Sequence, residues 1–150
     1  MCVGHEHEPT GVDQWVLDTP RFREFIDTVN TIRTSGKSPE AIIEEIRPHF
    51  ASLMAADDWL PDQYQQPVAN SGMGSGIGTW LLYRAGDGGL ALSVLVVPPG
   101  ASTPVHDHLA WGLVGLYRGE QDEEVFSRQD DGTSDDHAEL VVSERRSLKP

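Results

Sequence analysis

The feature that most constrains this chain is a change of pattern at Thr79. From there to Ser143 it consists of short runs rich in β-branched, aromatic or leucine side chains: Thr79–Arg84, Leu90–Val97, Trp111–Tyr117, Glu123–Ser127 and Glu139–Ser143. Between them stand clusters that reverse a backbone, Gly86-Asp87-Gly88-Gly89, Pro98-Pro99-Gly100, Arg118-Gly119 and Asp130-Asp131-Gly132. Runs this short, punctuated this regularly, predict strands of an antiparallel sandwich or barrel. No repeat of 20–50 residues underlies them.

The first third reads differently. Thr19-Pro20 has the form of an N-cap followed by proline in the first helical position. Phe22, Phe25, Ile26, Val29 and Ile32 then recur at helical spacing up to Ser35-Gly36. Ser38-Pro39-Glu40 opens a second helix with Ile42, Ile43, Ile46, Phe50, Leu53 and Met54 on its apolar side. Pro48 falls inside that run, which predicts a kink or an early break. Residues 61–78, rich in Pro, Gln, Gly and Ser, read as a linker or loop. Their glycines lack both the spacing and the following amphipathic helix of a phosphate cradle. The organisation is therefore a polar leader over 1–18, a helical segment over 19–58 and a β domain over 59–150.

Composition narrows the partners. With 24 Asp+Glu against 11 Lys+Arg, the chain carries a net charge of −13 and repels phosphate backbones and anionic lipid surfaces. No nucleic acid and no membrane is expected as a partner. No stretch approaches the ~18 apolar residues of a membrane span, and the N-terminus lacks a basic-then-apolar signal. The single cysteine, Cys2, excludes an intrachain disulfide and a Cys-rich zinc site. These features predict a soluble, cytoplasmic protein.

The chemically dense stretch runs from Pro98 to Gly112 and contains His106-Asp107-His108. In an extended strand, positions i and i+2 share a face, so the two imidazoles project side by side and can aim ring nitrogens at one divalent ion. A surface His-x-His beside an aspartate is the competing account of the same residues.

The surrounding spacing bears on that choice. Gly100, His106, His108 and Gly119 stand at the anchor positions of the first motif of the cupin superfamily, G-x5-H-x-H-x3-E-x6-G. Gly112 occupies the position where many cupins place a glutamate ligand. With Pro98-Pro99-Gly100, Pro104-Val105-His106-Asp107-His108, Trp111-Gly112-Leu113 and Gly119-Glu120, the stretch resembles the cysteine dioxygenase-type thiol dioxygenases, especially their bacterial branch. The resemblance extends from about Trp59 to Phe126. It implies a mainly β fold, the cupin double-stranded β-helix or jelly-roll barrel, preceded by the two helices.

The same resemblance implies an Fe(II) centre held by three histidines, with a small-molecule thiol and dioxygen as substrates and a sulfinate as product. His106 and His108 are then two of the three metal ligands. Glycine at 112 removes the crosslinked cysteine that some members carry there. The family's third histidine lies in a later motif, beyond the point where this sequence stops, so the barrel is expected to be incomplete at its C-terminal side. His137, in an acidic loop, is a poor substitute; His5 and His7 belong to the leader, and His49 to a helix surface.

A thiol bearing a carboxylate needs a cation, best a planar arginine fork. Arg84, at the end of Trp80-Leu81-Leu82-Tyr83-Arg84, is the candidate clamp, with Tyr83 beside it. Trp111 is a pocket candidate against a core default, and Asp107 points away from the histidines. Glu120, Glu123 and Glu124 read as a solvated strand edge rather than an acid/base pair. The alternative function is a non-catalytic cupin fragment, a small-molecule binding module without a complete metal site.

Overall fold

The structure is a computed structural model, and it describes residues 9–68, 70–71, 74–108, 110–133 and 137–150. The elements are, in order, β1 (Gln14–Trp15), α1 (Pro20–Arg33), α2 (Pro39–Met54), a 3-10 turn (Asp62–Gln65), β2 (Asn70–Ser71), β3 (Gly74–Ser75), β4 (Gly78–Arg84), β5 (Ala91–Val96), β6 (Gln121–Arg128) and β7 (Leu140–Leu148). Two helices are thus followed by antiparallel strands, as the pattern change at Thr79 predicts. The chain divides into two units, Met1–Leu113 and Val114–Pro150.

In the first unit both helices begin where proline fixes the backbone. Thr19 is extended, at φ −105° and ψ 151°, and Pro20 starts α1; Ser38 accepts from the Ala41 N–H at 3.4 Å and Pro39 starts α2. The predicted apolar stripe of α1, Phe22, Phe25, Ile26, Val29 and Ile32, is buried throughout. Of the kink or early break predicted at Pro48, the break does not occur, because α2 runs through it to Met54. Pro48 lacks the N–H that would bond the Glu44 carbonyl, but residues beyond it are anchored: Phe50 lies 6.2 Å from Phe25 and Leu53 is buried. Tertiary burial outweighs the local cost.

The sheet of this unit has the order β1-β4-β5, all antiparallel. Gly78 faces Val96 and Arg84 faces Ala91, with the register shifting between Leu81 and Tyr83. That irregularity explains why two consecutive residues, Leu82 and Tyr83, are both fully buried where a regular strand would alternate. The core joins them to Phe22, Ile26 and Ile77, all without exposed surface. Phe22 stacks on Trp59 at 5.9 Å, and Trp15 packs against Tyr83 at 4.6 Å.

Two segments read as irregular are built into this core. Residues 13–17 of the leader lie along β4, with Val16 N–H and Leu17 N–H both directed at the Leu82 carbonyl and Leu17 buried. Within 61–78, Tyr64 is buried and Trp80 Nε1–H donates to the Gln66 carbonyl at 2.9 Å. Gly78 permits that approach, since a Cβ there would lie 2.8 Å from the Gln66 oxygen.

The second unit is the β6–β7 ribbon, paired from Gln121↔Leu148 to Arg128↔Leu140 with an irregularity at Val125/Phe126. Charge binds its two strands: Arg145 meets Glu124 at 2.9 Å, and Lys149 meets Glu120 at 2.9 Å. Asp130 closes the connection by accepting from the Gly132 N–H at 2.8 Å and from the Glu139 N–H at 2.5 Å. The predicted strand Trp111–Tyr117 is absent from the described residues between β5 and β6. Trp111 and Val114 are 52% and 72% exposed there, and a strand is not held without a partner for its backbone groups. No helix among the described residues is long and apolar enough to cross a membrane.

Candidate functional site

The segment that carries the histidines leaves the end of β5 through a tight turn. Ala101 N–H bonds to the Pro98 carbonyl at 3.0 Å, and Gly100 takes φ 79°. Pro99 followed by a residue of positive φ is the signature of a type II turn, which explains the order Pro-Gly. Beyond it the backbone is irregular, so His106 and His108 stand on a loop rather than on the expected strand.

The two rings nevertheless come together. Their centroids are 5.2 Å apart at an interplanar angle of 69°. His106 Nδ1 lies 2.7 Å from the Pro104 carbonyl oxygen. A carbonyl only accepts, so Nδ1 carries a hydrogen, and in the neutral ring that leaves Nε2 as the nitrogen with the lone pair. Both histidines and Asp107 are exposed. Imidazole is a donor type that divalent transition metals accept. Among the described residues, no third His, Cys, Asp or Glu joins the two histidines to form a group of three.

The other predicted residues lie elsewhere in the molecule. β4 and β5 are antiparallel, so Arg84 sits at the closed end of their hairpin, while the chain leaves for the histidines from Val96 at the other end. The Arg84 side chain is half-buried and makes no ion pair among the described residues. Tyr83, expected beside the substrate, is fully buried. Its hydroxyl donates to Asp13 Oδ2 at 2.6 Å and accepts from Asn30 Nδ2 at 3.1 Å. Burial, and next the bond to Asp13, hold the Tyr83 phenol above its ordinary range. The Asp13 carboxyl is held low by the same hydroxyl and then by the Gly86 N–H.

His49 is exposed on α2, and His137 is exposed ahead of β7, with its carbonyl accepting from Arg128 at 3.0 Å. Glu120 and Glu124 are engaged by Lys149 and Arg145, and Glu123 accepts from Gln121 at 2.8 Å. Cys2, His5 and His7 lie outside the described residues. Two groups went unnoticed in the sequence. The Pro104 carbonyl orients His106, and the chain Asp13–Tyr83–Asn30–Arg33–Asp87 ties leader, helix and hairpin turn together. The second arises only when distant segments meet, and the first, though local, involves a backbone carbonyl that no residue type marks.

A family model described as cysteine dioxygenase type I matches residues 23–150 of the chain. No solved structure matches it.

Proposed function

The chain belongs to the cysteine dioxygenase type I family, and from that premise we propose that it is an Fe(II)-dependent thiol dioxygenase acting on cysteine or a small mercaptocarboxylate. The observation that carries this proposal is the pair of imidazoles, 5.2 Å apart, inside the matched residues. The reaction is R–SH + O2 → R–SO2H: both oxygen atoms pass to sulfur, the S–H proton stays with the product, and four electrons move from sulfur to oxygen. No external reductant is consumed. The proposed fold around the pair is the cupin jelly roll, and the proposed location is the cytoplasm.

His106 and His108 would hold the iron, which when bound supplies a redox-active Lewis acid for thiol and dioxygen. Neutral imidazoles leave the ion's charge undiminished, which favours the thiolate form of the substrate. The Pro104 carbonyl keeps the His106 ring turned with Nε2 outward. Arg84 is the proposed partner of the substrate carboxylate, its guanidinium being uncommitted among the described residues. Tyr83 enters as a positioning residue for β4, because Asp13 and Asn30 occupy its hydroxyl.

That no third donor is grouped with the pair among the described residues favours a second function, a non-catalytic cupin fragment or small-molecule binding module without a complete metal site. Incubation with Fe(II), oxygen and either cysteine or 3-mercaptopropionate, followed by mass analysis, separates the two. The dioxygenase yields a product heavier by two oxygen atoms, and neither His106→Ala nor His108→Ala retains that yield. Full yield from the His106→Ala protein, or none from the unsubstituted protein, would refute the enzyme.

A further inference from the structure

We infer that Tyr83 is a built-in oxidation site, at which Asp13 takes the phenolic proton as an electron leaves the ring by way of Trp15. This goes beyond the function proposed above and does not depend on the metal assignment made there.

Three observations carry it. The first is the proton path. The Tyr83 hydroxyl donates to Asp13 Oδ2 at 2.6 Å, within reach for direct proton transfer. Removing an electron from a phenol makes its proton strongly acidic, so a base already bonded to it lets proton and electron leave together. Tyr64, by contrast, donates to the Val16 carbonyl at 3.3 Å, which accepts a hydrogen bond but takes up no proton. The second is the electron path. Trp15 is half-buried, and its ring centre lies 4.6 Å from that of Tyr83, so an oxidant at the surface draws on the phenol through rings in contact. The Arg23 guanidinium lies 4.3 Å from the Trp15 ring centre; it is attracted to the neutral indole and repelled by an oxidised one. Asp18 shares that charge through bonds of 2.8 and 2.7 Å without moving it off the ring. The electron vacancy therefore passes on to Tyr83, whose radical is neutral once the proton has gone. The third is protection. Tyr83 has no exposed surface, and Asn30 Nδ2 still donates to its oxygen at 3.1 Å, so the radical is kept from coupling to a second chain.

In the balanced step, Tyr83–OH, Asp13–COO− and a one-electron oxidant give Tyr83–O•, Asp13–COOH and the oxidant reduced by one electron. The O–H bond of Tyr83 breaks, that of Asp13 forms, and Asp13, being exposed, returns the proton to water. The oxidant is a one-electron acceptor of the kind that iron and dioxygen generate together.

The test treats the full, metal-free chain anaerobically with one equivalent of hexachloroiridate(IV), freezes it and records the electron paramagnetic resonance spectrum. The expected signal is a tyrosyl radical, which narrows when the tyrosines carry ring deuterium and not when the tryptophans do. Tyr83→Phe should lower its yield tenfold or more and leave an indole radical, whereas Tyr64→Phe should leave the yield unchanged. Asp13→Asn is the decisive variant: its amide oxygen keeps an acceptor for the hydroxyl but is too weak a base to take the proton, so the yield should again fall at least tenfold. Tryptophan fluorescence in urea verifies that each variant is folded, which separates proton acceptance from a merely structural tie. Trp111, 52% exposed, is the competing target. A signal in the unsubstituted chain that narrows only with deuterated tryptophan would overturn the inference. So would a tyrosyl yield undiminished in Tyr83→Phe, or one undiminished in folded Asp13→Asn.

Discussion

Replacing Tyr83 by phenylalanine removes one oxygen from the centre of the first unit and tests how the N-terminal strand is held. The Tyr83 hydroxyl donates to the Asp13 carboxylate at 2.6 Å and accepts from Asn30 at 3.1 Å, with Tyr83 itself fully buried. A hydrogen bond to a charged group contributes about 1.5–3 kcal/mol. Asp13 has an exposed side from which water can solvate the freed oxygen, so the lower end applies. A loss of about 1.5 kcal/mol corresponds to a fall of roughly 6 °C in Tm for a unit of this size. Tryptophan fluorescence in urea reports it directly, because Trp15 packs 4.6 Å from the Tyr83 ring.

A cycle with Asp13→Ala should return a coupling of about 1 kcal/mol between the two positions. The pH dependence carries the same sign. The Asp13 carboxyl is held below its unfolded value of 3.8, first by Tyr83 and then by the Gly86 N–H. Its contribution is therefore complete above that value and lost as the pH falls through the lower folded one. Tyr83→Phe should flatten this acid limb. Additive substitutions, or a Tyr83→Phe cost below about 0.5 kcal/mol, would refute the assignment of the hydroxyl as the tie between β4 and the leader.

Two further outcomes are expected. Gly78→Ala sets a Cβ 2.8 Å from the Gln66 carbonyl and 3.2 Å from the Val68 nitrogen, backbone atoms that cannot swing aside. It should destabilise the first unit by about 1–3 kcal/mol, measured by the same denaturation. Arg84→Ala should raise KM for a thiol carrying a carboxylate at least tenfold while leaving KM for an uncharged thiol unchanged; equal effects on both would remove Arg84 as the clamp.

The sequence made legible whatever depends on local periodicity. The stripe Phe22–Ile32 and the cap Ser38-Pro39 identify both helices, and β4, β5, β6 and β7 fall close to four of the five predicted runs. The misses are tertiary. Pro48 remains helical because Phe50 and Leu53 are anchored beyond it. The leader becomes a strand because the β4 edge and a Cβ-free Gly86 accept it; a Cβ at Gly86 would lie 2.4 Å from the Val12 nitrogen. Trp111–Tyr117 has strand-forming residues but no strand alongside it among the described residues. At the candidate site the nearness of His106 and His108 was readable from their spacing, and the structure gives the separation of their rings; their role as metal ligands is the proposal. The bond from His106 to Pro104 was not readable, since backbone carbonyls leave no mark in a sequence.

The central claim is that His106 and His108 serve oxygen transfer to a thiol. Oxygen uptake by the full chain, supplied with Fe(II) and either cysteine or 3-mercaptopropionate in a closed electrode cell, tests it most directly. The account predicts uptake that requires both iron and thiol, consumes one O2 per thiol lost, and disappears in the His106→Ala protein. Uptake that continues without iron, or that persists undiminished in His106→Ala, would contradict it.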